Sequence, residues 1–162
     1  MKTLYLVRHA HAENKNTRTD FLRELDAEGK SEALKIANLF ISKNIQPQLI
    51  VSSNAERTLQ TSNIIAEKIQ YPSGQIIADA RLYTADEAQY LVILKEMNNS
   101  VDSLMITGHN PSISEFAHAL TGQFSENMAT SSCVKIQFNT DDWSGISWRS
   151  GKLIEYIEPA AL

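Results

Sequence analysis

TLYLV at residues 3–7, followed at once by Arg8-His9, is the stretch on which the fold turns. It has the length and the unbroken apolar character of a strand buried on both faces, the signature of a strand inside a parallel sheet. The pattern returns at 48–52 (QLIVS) and at 103–107 (SLMIT), and segments of helical period lie between. In the first, Ala33, Ile36, Ala37, Phe40 and Ile41 fall at i, i+3, i+4, i+7 and i+8, one apolar stripe behind Asp26 as N-cap. Ser53 and Glu56 are spaced as a capping box for a second helix starting near Asn54, with Ala55, Leu59, Ser62, Ala66 and Ile69 on one face. Thr84 and Glu87 repeat that box before Leu91, Leu94 and Met97. Asn110 and Pro111 supply an N-cap and an N1 proline before Ile113, Phe116, Ala117 and Leu120.

A short strand is expected near 76–78. Residues 131–138 (SSCVKIQF) and 143–157 (WSGISWRSGKLIEYI) alternate without helical period and finish the sheet, with Gly145 and Gly151 as turn or bulge candidates. Strands alternating with helices imply an α/β fold: a three-layer sandwich, a mainly parallel central sheet covered by helices on both faces. Length and the absence of any repeat or linker predict a single domain over 1–162.

Fifteen basic against nineteen acidic residues leave a net charge of −4. That balance argues against a broad nucleic-acid or anionic-membrane surface, each of which needs clustered Lys and Arg. No run approaches the roughly 18 apolar residues of a membrane span. The apolar run Leu4 to Val7, stopped by Arg8, is too short for a secretory signal. A lone Cys133 suits a reducing compartment, and as a small buried apolar side chain. A cytoplasmic address is expected.

The chemistry gathers at strand ends. Arg8-His9, Ser52-Ser53 and Gly108-His109 each follow a predicted parallel strand, and ligands of open parallel sheets bind in the crevice outside those ends. Arg57, in the first turn of the second helix, and the N-termini of two helices point to the same region. Two guanidiniums, two imidazoles and two positive helix ends make a local anion pocket in an acidic chain. Phosphate fits it, because a guanidinium pairs with two oxygens at once. A neutral imidazole there can attack phosphorus and form a phosphohistidine, splitting one displacement into two. No metal or other cofactor is needed. His9-Ala10-His11 offers a rival: two rings on one side of a strand as metal ligands, with His109 or Asp20 as a third. Neighbouring Arg8 and Arg57 repel a divalent cation and weigh against it. His118, mid-helix, reads as structural, and Trp143 and Trp148 as core or sheet-face packing.

LVRHAHAE at 6–13, SSNAERTLQT at 52–61 and ITGHNP at 106–111 together resemble the histidine phosphatase superfamily, with its phosphoglycerate mutase-like fold, and within it the SixA-type phosphohistidine phosphatases. The resemblance implies that His9 is the phosphorylated nucleophile, that Arg8 and Arg57 clamp the phosphoryl group, and that His109 contacts it as hydrogen-bond donor or electrostatic stabiliser. DFLRELDAEG at 20–29 resembles another segment of the family, with Asp26 where Thr is usual, and places Asp20 and Arg23 near the pocket. Ala10 replaces a common Gly and Asn54 a frequent Pro. The register that carries a Leu-x-Glu acid in mutases and sugar phosphatases reads Leu82-Tyr83-Thr84 here, leaving the general acid to Asp20 first, then Asp86 or Glu87. Missing that acid favours a phosphoramidate substrate. With no spare segment of more than about 10 residues between elements to act as a lid, an open pocket could admit a phosphorylated protein such as a histidine-containing phosphotransfer domain. A small-molecule phosphomonoesterase or mutase is the alternative, followed by the His9/His11 metal-dependent hydrolase and a non-catalytic phosphate-binding module.

Overall fold

The computed structural model describes residues 1–16 and 18–159. Its centre is one six-stranded sheet: β1 (Lys2–Arg8), β2 (Leu49–Ser53), β3 (Ile77–Asp79), β4 (Ser103–Gly108), β5 (Cys133–Phe138) and β6 (Gly151–Ile157), in the order β3-β2-β4-β1-β5-β6. The first four in that order run parallel, and β5 and β6 add on antiparallel. Period-two alternation sends successive residues of β1 to opposite faces. Leu4 and Leu6 enter the core under α3 (Glu87–Lys95) and α4 (Ser112–Thr121), while Tyr5 and Val7 enter the one under α1 (Ala27–Ser42) and α2 (Glu56–Lys68). All four side chains are buried. That double burial is why the strand reads as continuously apolar, and it confirms helices on both faces. No described helix is long and apolar enough to cross a membrane.

Asp26 caps α1 as expected, its side chain accepting from the Gly29 amide at 2.8 Å. The other three helix starts differ from the sequence reading. β2 continues through Ser53, whose hydroxyl is drawn away to a histidine, so α2 begins at Glu56 behind Ala55 with no side-chain cap. The box at Thr84 and Glu87 does not form, because residues Ala80–Tyr83 wind into a 3-10 turn; Asp86 and Gln89 make it instead, two residues later. Pro111, not Asn110, is the residue before α4. Ile41 leaves the stripe of α1 and is 49% exposed, while its neighbour Phe40 is fully buried in the core under that helix. Gly145 lies in a 3-10 turn and Gly151 opens β6, while the bulge falls at Lys135/Ile136.

Two connections are longer than expected. Residues 9–26 join β1 to α1 with only the 3-10 turn Asp20–Leu22 inside, and residues 122–132 join α4 to β5. Both lie by the C-terminal edge of the parallel strands: the first carries Asp20 and Arg23 to the cleft there, the second brings Thr130. They are spent on the site instead of on the sheet. Trp143 is fully buried and Trp148 is 43% exposed with its ring edge on Phe116. Cys133 is buried, which pushes its thiol pKa up. His118 donates from Nδ1 to the Phe124 carbonyl at 2.8 Å, a structural role.

Candidate active site

Because β1, β2 and β4 are parallel, their C-terminal ends share one edge, and the register sets Arg8 opposite Gly108. A cleft of about 410 Å³ opens there, and Arg8, His9, Asp20, Arg23, Arg57 and His109 all line it. These six are the residues expected to bind or flank the phosphoryl group, whereas the other two acid candidates, Asp86 and Glu87, do not line it. The histidine rings of residues 9 and 109 lie 5.4 Å apart between centroids.

His9 Nδ1 lies 2.7 Å from the carbonyl oxygen of Ala10. A carbonyl only accepts, so Nδ1 carries the proton and Nε2 keeps a lone pair. The ring is 8% exposed, and its pKa falls to about 3, mainly through burial, with smaller contributions from His109, Arg57 and Arg8. Desolvation thus outweighs the arginine charges that the sequence brings to mind. At neutral pH this is an uncharged imidazole with a free basic nitrogen, held on a backbone pinned from two sides. The Ala10 amide donates to Thr61 Oγ1 at 2.9 Å, and the Ser131 amide donates to the Arg8 and His9 carbonyls.

His109 is also buried, and its pKa falls to about 4 through burial first and Arg57 second, with Asp20 opposing. Its Nε2 sits 2.8 Å from Ser53 Oγ, which in turn accepts from the Ala55 amide. Among the described residues Nε2 is the acceptor within reach of the buried serine hydrogen, so the hydrogen goes there and an N–H is left on Nδ1. That atom is buried without a partner among the described residues. His109 is therefore a neutral donor and not a cation. Gly108 is required beside it, because a Cβ there would collide with the Tyr90 hydroxyl, to which the His109 amide donates at 3.3 Å.

Arg8 donates from Nη1 to the Met128 carbonyl at 2.9 Å, and burial pulls its pKa down. Arg57 is 5% exposed and donates to Asp20 from both terminal nitrogens. The Nε atoms of both arginines are buried with no partner among the described residues. Together with His109 Nδ1 these are three unspent donors on residues that line one cleft. Leaving such a donor unpaired costs about 1–3 kcal/mol, a cost that an anion with several oxygens would relieve on reaching them.

The general acid expected at Asp20 is not there. Tyr83, at 2.6 Å, Arg57 and Arg23 all donate to its carboxylate, and the pKa drops to about 2, the Tyr83 hydrogen bond being the largest cause. An anion at neutral pH has no proton to give. Asp86 is spent as the cap of α3, and Glu87 lines a different cavity beside His118. Nor do His9 and His11 form a metal site. β1 ends at Arg8, so strand alternation does not reach them, and His11 Nδ1 instead meets Asp26 Oδ2 at 2.6 Å. The group with ligand spacing among the described residues is His11, Asp26 and Glu28, without His9. Thr61 and Tyr83 were not legible as site residues, and Ser53, placed at a strand end by the sequence, was read there as a helix cap and not as the partner of His109. Small polar side chains beside an arginine in TLQT are the one signal that pointed toward Thr61.

The profile of the histidine phosphatase superfamily (branch 1) matches residues 4–90. An uncharacterized chloroplastic protein of Arabidopsis thaliana is 30% identical over 152 residues, covering 88% of this chain and 69% of that protein. Among solved structures, one from Agrobacterium tumefaciens that bears the name phosphohistidine phosphatase SixA is 27% identical and superposes with a TM-score of 0.83, covering 98% of each chain. A protein histidine phosphatase SixA complexed with tungstate superposes at 0.85 with 20% identity, again over 98% of each, a likeness of fold.

Proposed function

The chain belongs to the histidine phosphatase superfamily and is a phosphatase, and from that premise we propose that it removes phosphate from phosphohistidine on a protein through a phosphoenzyme on His9, without a metal. One observation carries the mechanism: His9 spends Nδ1 on the Ala10 carbonyl and keeps an uncharged Nε2 in a cleft flanked by Arg8, Arg57 and His109. In the first step the Nε2 lone pair forms a bond to phosphorus as the bond to the substrate nitrogen breaks. Charge on the equatorial oxygens is met by the unspent N–H groups of Arg8, Arg57 and His109. In the second step water attacks phospho-His9, releasing inorganic phosphate and restoring the ring.

The leaving group supports this substrate class. An alkoxide needs a proton from a positioned acid, and none of Asp20, Asp86 and Glu87 supplies one here. A phosphorylated imidazole takes its proton on the ring nitrogen not bonded to phosphorus, and so leaves without such an acid. The name of the solved relative from A. tumefaciens supports the same choice. A histidine-containing phosphotransfer domain is the macromolecular partner this reading favours.

A panel of phosphohistidine protein, aryl phosphate and sugar phosphates, run with chelator present, tests it. Phosphohistidine protein should be turned over fastest, and His9→Ala should abolish turnover while phosphate still binds. Faster turnover of sugar phosphates would make the protein a small-molecule phosphomonoesterase or mutase. Activity lost to chelator and restored by zinc would sink the metal-free mechanism, and phosphate binding without any turnover would mark a binding module.

A further inference from the structure

Both terminal nitrogens of Arg57 are committed to one residue. Nη1 donates to the Asp20 carbonyl at 2.8 Å and Nη2 to its carboxylate at 3.1 Å, which leaves one N–H on each terminal nitrogen, besides Nε–H, uncommitted among the described residues. Asp20 is itself held from three elements. Arg23 donates to Oδ1 at 2.9 and 3.1 Å, Arg57 to Oδ2 from α2, and Tyr83 to Oδ2 at 2.6 Å. The tyrosine contact is the shortest, and it comes from the 3-10 turn that follows β3. The Tyr83 ring stands edge-on to Phe21 at 5.1 Å and to His109 at 5.6 Å. One side chain thus touches the turn that holds Arg57 and the ring that donates beside it.

We infer that Tyr83 is a positioning residue for phosphoryl transfer: its hydroxyl fixes the Asp20 carboxylate, which fixes the Arg57 guanidinium in one orientation beside the phosphoryl group. This rests on the phosphatase reading of the cleft and not on which phosphorylated molecule enters it. The physical reason is the shape of the fork. A guanidinium gripped at Nη1 alone can swing about that bond, and gripping Nη2 as well leaves its plane one orientation. Half of the second grip faces solvent, since Asp20 is 47% exposed, and an exposed carboxylate keeps one rotamer only when something outside the pair restrains it. Tyr83 supplies that restraint, which is worth most when the phosphoryl charge builds up and a misplaced donor stabilises it less.

The test removes the hydroxyl alone. Tyr83→Phe keeps both ring contacts, and kinetics on an aryl phosphate should show kcat about tenfold lower with KM within about twofold, the pattern of an interaction used chiefly in the transition state. In an Asp20→Ala background the same substitution should cost nothing further, because the relay is already broken. The ¹⁵N–¹H resonance of Arg57 Nε, read in the presence of inorganic phosphate, should be sharp in the wild type and broadened in Tyr83→Phe. Unchanged kcat, or an equal loss in both backgrounds, overturns the inference and makes Tyr83 a packing residue. Failure of the phosphohistidine reading would show instead as altered substrate ranking or as turnover surviving His9→Ala. The Arg57 resonance needs no turnover and reports only folded molecules, so it decides the relay in either event.

Discussion

Thr61→Val isolates the link between the nucleophile's loop and the helix that carries Arg57. Thr61 is fully buried; its hydroxyl oxygen accepts from the Ala10 amide at 2.9 Å and donates to the Arg57 carbonyl at 2.7 Å. Valine fills nearly the same volume and offers no acceptor, so the Ala10 N–H is left buried and unpaired. The Arg57 carbonyl keeps its helical partner. One lost bond plus one stranded amide is worth about 2 kcal/mol, which in a domain of this size lowers Tm by about 4–8 °C. The same Ala10 supplies the carbonyl that holds His9 in its Nδ1–H tautomer. A loosened Ala10 should therefore also lower kcat, by about tenfold. Calorimetry and aryl phosphate kinetics on Thr61→Val, with Thr61→Ser as the control that keeps the hydroxyl, measure both. A Thr61→Val protein that melts within about 1 °C of the wild type and turns over normally would refute the argument, since the Ala10 amide would then need no such partner.

Stability should fall with acid through the two active-site rings. The folded pKa values lie at about 3 for His9 and about 4 for His109, depressed below the unfolded value near 6.5. The unfolded chain thus binds protons first, and stability present above 6.5 is lost as pH falls toward 4, roughly 2 kcal/mol per ring at pH 5. Denaturant midpoints at pH 7 and pH 5 check this, and His109→Gln should shrink the difference; equal shifts in the variant and the wild type would contradict it. Gly108→Ala should cost about 1–3 kcal/mol by driving a methyl against the Tyr90 hydroxyl, with partial recovery in the Gly108→Ala/Tyr90→Phe double variant. No recovery in the melting of that pair would place the strain elsewhere.

The site shows how an acidic protein can handle phosphate. Its cationic groups are few and local, with Arg57 only 5% exposed, and the neutral His9 beside them is only 8% exposed. Burial keeps both imidazoles neutral, so one can attack and the other can donate, while the guanidiniums stay charged and carry the electrostatic load. Asp20 belongs to the same economy of charge. It offsets Arg57 and Arg23 and shapes the first of them, which is a use for a carboxylate inside an anion pocket that a proton donor's role would not explain.

The alternation of strands and helices along the chain, the two-faced burial of β1 and the meeting of Arg8, His9, Arg57 and His109 were legible in the sequence, because each rests on a short-range pattern: an apolar run of strand length, a helical stripe, a charged residue just past a strand end; the order of strands within the sheet was not. A helix start was legible where the cap kept an oxygen for the helix. Asp26 meets His11 with Oδ2 and still caps α1 with Oδ1, whereas the single hydroxyl of Ser53 is claimed by His109, 56 positions away. The states of the side chains were decided by tertiary structure alone. Tautomer, protonation and the direction of a fork depend on what lies within about 3 Å, and those neighbours come from remote stretches, as Tyr83 comes to Asp20 across 63 residues. The chain's own pattern thus determines which residues reach the strand ends, and the packing around them determines which of those residues can attack, donate or only hold another in place.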